Sequence, residues 1–162
     1  MKKVLIILGS KSDVEAFDKA RKLLTELGLE HELHIASAHR TPTKAIDLAS
    51  TAVERGFGVI IAAAGMAAHL PGVVASHTLL PVIGVPLASG GLGGLDALLS
   101  ITQMPEGIPV ASVAIGGAVN ACILAAEILA GASPELRKKL EAYRAKLRAK
   151  VEEDDAGLVG EA

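Results

Sequence analysis

The sequence has 162 residues, 51% of them hydrophobic, with a mean hydropathy of +0.45, so one domain with a sizeable core is expected and intrinsic disorder is excluded. Sixteen Lys and Arg against eighteen Asp and Glu give a net charge of −2, and only 2% of residues are aromatic. That balance lacks both the basic excess of a phosphate-backbone binder and the stacking platforms of a single-strand binder, so no nucleic-acid partner is expected. The single cysteine, Cys122, cannot form an internal disulfide or a Cys-based zinc site.

Val4–Leu8 is a short continuous apolar run and reads as a first strand buried on both faces, not as a signal peptide. Gly9-Ser10-Lys11-Ser12-Asp13 follows, then a predicted helix over Val14–Leu27, with Ser12 and Glu15 at capping-box spacing and Phe17, Ala20, Leu23, Leu24 and Leu27 as its inner face. Glu30–Ala36 is a second, more polar strand, nearer an edge. Thr41 and Pro42 open a helix that runs to Arg55 and stops at Gly56. Val59–Ala63 is the third strand, and after Ala64-Gly65-Met66 a helix spans Ala67–His77. Val82–Val85 is the fourth strand. The loop Gly90-Gly91-Leu92-Gly93-Gly94 leads to a helix over Leu95–Gln103. Val110–Ile115 is the fifth strand, followed by helices over Ala118–Ala130 and from Pro134 to Glu153. The expected organisation is one catalytic α/β domain over residues 1–155 and a flexible tail over residues 156–162.

Strands alternating with helices predict a flavodoxin-like, three-layer α/β fold whose five-stranded parallel sheet has the order 2-1-3-4-5, with an added C-terminal helix. Ligands in such sheets bind beyond the carboxyl ends of the strands, so the first three strand–helix loops are the places to look for chemistry.

Charge is distributed unevenly. Between residues 56 and 126 only Asp96 and Glu106 are charged. A membrane span is rejected, because Pro71, Pro81, Pro86, Pro105 and Pro109 interrupt every apolar run before the ~20 residues a spanning helix needs. Burial between subunits is the alternative, so a homo-oligomer is expected. No membrane partner and a cytoplasmic location follow as expectations.

The first loop offers Ser10, Ser12 and Asp13 at a helix start, where free amides and hydroxyls suit an anion; Asp13 would repel phosphate and suits a ribose hydroxyl better. Simple capping explains these residues equally well. The second loop holds Ser37, His39 and Arg40. A guanidinium presents a planar fork to phosphate, and an imidazole, with an ordinary pKa near ~6.5, exchanges protons at neutral pH. In the third loop, spacing alone favours His69 as a core histidine satisfied by backbone groups. His31 and His34 lie three apart in a strand and cannot chelate together. His77 and Cys122 read as packing residues, the Gly90–Gly94 loop as a flexible flap, and no metal constellation is found.

Gly9-Ser10-Lys11-Ser12-Asp13, Ser37-Ala38-His39-Arg40-Thr41-Pro42, Ala67-Ala68-His69-Leu70-Pro71-Gly72 and Gln103-Met104-Pro105 occur in this order. Together they resemble the PurE family in its mutase class, over roughly Val4 to Ala130. The resemblance implies a homo-octamer and a step of de novo purine biosynthesis that uses no ATP, metal or organic cofactor. The implied substrate is a small ribonucleotide, N5-carboxyaminoimidazole ribonucleotide, whose carboxyl group moves to ring carbon C4. It assigns Ser10, Ser12, Asp13, Ser37 and Arg40 to the ribose 5′-phosphate end, and His39 and His69 to catalysis. Ala63 and Met66 stand where glycine is usual in the family, Met66 adding bulk beside the expected pocket. Two other readings stay open: direct carboxylation of aminoimidazole ribonucleotide by CO2, and a non-catalytic nucleotide-binding module. Arg40, where the direct carboxylases carry Lys, and the His69-Leu70-Pro71-Gly72 segment favour the mutase; the retained His39 speaks against the binding module.

Overall fold

A computed structural model describes residues 2–159. Five strands, β1 (Lys3–Leu8), β2 (His31–Ile35), β3 (Phe57–Gly65), β4 (Val82–Leu87) and β5 (Ala111–Ser112), form one sheet of order β2-β1-β3-β4-β5. Every pairing is parallel. The flavodoxin-like order expected from the alternation of elements is therefore the order found.

Strand period two sorts the core into two halves. Val4, Ile6 and Leu8 of β1 face one side, where α1 (Asp18–Glu26), α5 (Ala118–Ala130) and α6 (Pro134–Val159) cover them. Leu5 and Ile7 face the other, under α2 (Pro42–Ser50), α3 (Leu70–Ala75) and α4 (Leu95–Thr102). Phe57 breaks the alternation of β3: Lys3 pairs with Phe57 but Val4 pairs with Val59, so Gly58 is an extra, bulged residue and Phe57 turns to the Leu5 side. Glycine is required at the bulge, because a Cβ there would lie 2.7 Å from Leu129 Cδ2 and 2.8 Å from Lys2 Cβ.

Several elements depart from expectation; β3 and β4 run longer than Val59–Ala63 and Val82–Val85, α3 is shorter than Ala67–His77, and four further departures have a local reason. The helix expected from Val14 begins as two 3-10 turns, Lys11–Asp13 and Glu15–Phe17, before α1. The capping partner is Asp13 rather than Glu15: its carboxylate accepts the Ser10 N–H at 2.9 Å. Helix α2 ends at Ser50 instead of Arg55, and Thr51 Oγ1 donates back to the Asp47 carbonyl at 2.7 Å as the chain tightens into turns. Strand β5 has two residues instead of six. The Pro86 carbonyl accepts the Gly116 N–H at 2.8 Å, so this residue faces the β5 side, and proline has no N–H to carry the ladder past Gly84. Finally, α6 continues beyond Glu153 to Val159, so residues 156–159 are helical where a tail was expected; residues 160–162 lie outside the described part.

β2 is the edge strand its polarity predicted. Glu32, near its amino end, gathers Lys3 Nζ at 2.8 Å, Arg55 Nη2 at 2.5 Å and His34 Nε2 at 3.2 Å. The Lys3 hydrogen bond, then that of His34, holds the Glu32 carboxyl down at about 2, against an ordinary value of 4.5. The carboxylate is a third exposed, so each pair contributes at most about 1 kcal/mol. Together the pairs pin the strand to the start of β1 and to the turn before β3. No helix among the described residues is long and apolar enough to cross a membrane.

Candidate active site

All of the expected site residues lie at the carboxyl ends of β1, β2 and β3. A cleft of about 460 Å³ opens there, lined by Ser10, Ser12 and Asp13 from the first loop, Ser37, His39 and Arg40 from the second, and Met66 and Ala67 from the third.

One wall is polar. The Lys11 and Ser12 amides precede the first closing bond of their 3-10 turn, Asp13 N–H to Ser10 O, and have no partner within that turn. The Ser10 and Ser12 hydroxyls are 2.5 Å apart, and Ser12 Oγ donates to Asp13 Oδ1 at 3.3 Å. Asp13 is thereby occupied by Ser10 and Ser12. Across from them, Arg40 Nη2 donates to the Gly9 carbonyl at 3.3 Å, which swings the guanidinium from the β2 loop over the β1 loop. Ser37 Oγ steadies it, accepting the Arg40 N–H at 3.2 Å and Nε at 3.5 Å. Among the described residues the guanidinium meets a hydroxyl and a carbonyl but no carboxylate, so its positive charge is uncompensated. Ser37 is itself fixed by Thr41, whose Oγ1 accepts the Ser37 N–H at 2.8 Å.

The two loop imidazoles stand beside this wall. His39 Nε2 and His69 Nδ1 are 2.8 Å apart, and the rings meet edge to face with centroids 4.9 Å apart and planes at 79°. One nitrogen of the pair must carry the shared proton. His69 sits at the N-cap of α3 and is exposed, so it is not the core histidine that spacing alone favoured. His77 is likewise exposed, its Nδ1 2.9 Å from the Val73 carbonyl, whereas Cys122 is buried as expected and its thiol is pushed up to about 12 by burial.

A family model for AIR carboxylase matches residues 3–150. The chain belongs to the AIR carboxylase family. It is 55% identical to the N5-carboxyaminoimidazole ribonucleotide mutase of Pyrococcus horikoshii, with 91% of this chain and 84% of that protein covered. The mutases so named from Thermotoga maritima and Mycobacterium tuberculosis are 52% and 51% identical, over 93% and 96% of this chain and 88% and 90% of theirs. The crystal structure of Treponema denticola PurE superposes with a TM-score of 0.87 at 30% identity, covering 98% of this chain and 99% of that one.

Ser89, which the reading of the first three loops did not single out, is also in the cleft, at the end of β4, and Met66 stands beside it as the sequence suggested. The position of Ser89 just past a strand's carboxyl end was the available signal, since the same rule that singles out the first three loops applies to the fourth. Gly65 gives Ser89 room: a Cβ at Gly65 would overlap the Ser89 hydroxyl. Met66 is the one non-glycine residue among those described with a positive φ, 54°. A left-handed backbone costs such a residue about 1 kcal/mol. The turn it makes shortens α3: the Ala68 N–H bonds to the Met66 carbonyl and the His69 N–H to the Ala67 carbonyl, both at 2.8 Å, before the helix opens at Leu70.

Proposed function

We propose that this chain converts N5-carboxyaminoimidazole ribonucleotide into 4-carboxy-5-aminoimidazole ribonucleotide, a step of de novo purine biosynthesis and the reaction for which its relatives at 51–57% identity are named. The observation that carries the reading is the pairing of His39 with His69, 2.8 Å apart, at the rim of a cleft whose neighbouring wall holds an uncompensated guanidinium and seryl hydroxyls.

Arg40, Ser10, Ser12 and the Lys11 and Ser12 amides take the 5′-phosphate; Ser37 orients Arg40, and Asp13 anchors Ser10 and Ser12. His39, protonated, gives its proton to the carbamate nitrogen. The N–C bond breaks, its electron pair staying on nitrogen, and CO2 is released within the cleft. The electron-rich C4 attacks CO2 to form the new C–C bond. His39, now neutral, removes the C4 proton and restores the aromatic ring and its own charge. Atoms and protons balance over the cycle, so no co-reactant enters. His69 accepts from the imidazolium at Nδ1 and keeps the ring aimed through both transfers.

Substrate carrying labelled carbamate, supplied without ATP, tests the reaction. Label reaching C4 without dilution by bicarbonate is the expected result. Full exchange with bicarbonate would make the chain a direct carboxylase, and no conversion would leave a binding module.

We assign the working form to a homo-octamer. Both imidazoles are exposed in the single chain, and so are Leu79, Leu92, Leu95, Leu99 and Ile115 of the nearly uncharged segment. Neighbouring subunits would cover this apolar surface and dry the cleft, which retention of CO2 requires. Light scattering should return the mass of eight chains; the 16.5 kDa of one chain would overturn the assignment.

A further inference from the structure

Met66 has a strained backbone, a half-exposed side chain and a place on the cleft wall, and none of the roles above uses it. A side chain held at positive φ persists where its surroundings over-determine it, and such positions cluster at functional sites. Here the surroundings are the glycine-rich loop after β4. A Cβ built on Gly90 would lie 3.4 Å from Met66 Cγ, 3.8 Å from Sδ and 3.9 Å from Cε. The whole thioether thus lies along the face where Gly90 would carry a side chain. Gly90 has a positive φ of its own, 74°. The loop is anchored at its far end, where a Cβ on Gly94 would lie 2.8 Å from Ile115 Cγ2 and 3.2 Å from Ala88 Cα and the Leu95 N–H bonds to the Leu92 carbonyl; between the ends, Cβ atoms added at Gly91 and Gly93 would meet nothing of the same chain within 4 Å, so Met66 is the contact at its near end. Ser89, next to Gly90, lines the cleft, and Met66 is three residues before His69.

The sheet order tells which end of the ligand this contact faces. The anion wall comes from the β1 and β2 loops, while Met66 and Ser89 come from β3 and β4 on the far side of β1. A ribonucleotide with its phosphate on the first wall extends its heterocycle toward the second.

We infer that Met66 is a positioning residue: its thioether struts the Ser89–Gly94 loop against the ring end of the cleft and so bars the path by which CO2 would escape between its release and its recapture. The inference rests on the mutase reading. An apolar, flexible thioether suits the task, because it packs on backbone without offering CO2 a nucleophile or a water a hydrogen bond of ordinary strength.

The variants Met66→Ala and Met66→Leu separate side-chain reach from backbone strain, since both keep a Cβ at the left-handed position. Hydrogen exchange on the ligand-free protein is the first readout. The Gly90–Gly94 amides should exchange roughly tenfold faster in Met66→Ala than in the wild type, with α5 amides unchanged, and Met66→Leu should restore protection. Carbamate-labelled substrate is the second. Met66→Ala should lose several-fold more label to bicarbonate per turnover than wild type, with KM less affected than retention, and Met66→Leu should recover it. Unchanged exchange in Met66→Ala would remove the strut, and unchanged label retention would remove the barrier. A wild type that converts no substrate would overturn the mutase reading, while the exchange comparison would still decide the strut.

Discussion

His39→Asn lowers kcat by at least about 10²-fold, and by as much as 10⁴-fold, the range a positioned proton-transfer group supplies. Asparagine keeps a polar group of similar reach but cannot carry a proton from nitrogen to carbon. The wall to which we assign the phosphate is built from Ser10, Ser12, Ser37 and Arg40, and none of their hydrogen bonds involves the His39 ring. The dissociation constant for the ribonucleotide should therefore move by less than about threefold, within the scatter of an uncoupled site. Single-turnover kinetics and calorimetric titration on the same preparation separate the two effects. Turnover at the wild-type rate would take His39 out of the reaction. His69→Asn should cost less, because His69 acts through its 2.8 Å bond to His39, and should alter the pH profile of kcat rather than eliminate turnover.

Arg40→Ala weakens binding of the phosphorylated ligand by about 10- to 100-fold, the range for a hydrogen bond to a charged group at roughly 1.5–3 kcal/mol. Among the described residues the guanidinium meets a hydroxyl and a carbonyl but no carboxylate, so its charge is open to an anion. Arg40→Lys should fall between the two, keeping the charge and losing the planar fork. The corresponding nucleoside, lacking phosphate, is the control: its affinity should be the same for Arg40→Ala and wild type. A phosphate-dependent affinity that survives Arg40→Ala would put the anion elsewhere.

The parts of the fold that were legible in the sequence are those set by burial. Val4–Leu8 and Ala118–Ala130 announce themselves because nearly every residue is apolar or small, and both are found where expected. What was not legible depends on a neighbour. Nothing in Val110–Ile115 tells that its partner strand carries Pro86, and so the fifth strand shrinks to two residues. Ser12 and Glu15 have the right spacing for a cap, yet Ser10 and Asp13 share that spacing and the box forms there, two residues earlier. His69 shows the same limit at the site. Its local sequence is that of a core residue, and only the meeting of two loops thirty positions apart brings it to His39. The clustering of the polar loop residues in one cleft was readable from the carboxyl-end rule; the pairing of the imidazoles was not, because it is a property of the sheet.

His39 and Arg40, the residues we assign to proton transfer and to phosphate binding, are consecutive, and both hang from the end of β2, the border strand that pairs with β1. Peeling that border therefore disables capture and chemistry in a single event while the central ladders stay zipped. Under slow warming, catalysis should fade ahead of the far-ultraviolet signal, with the Glu32 clasp as the fastener that decides how far ahead.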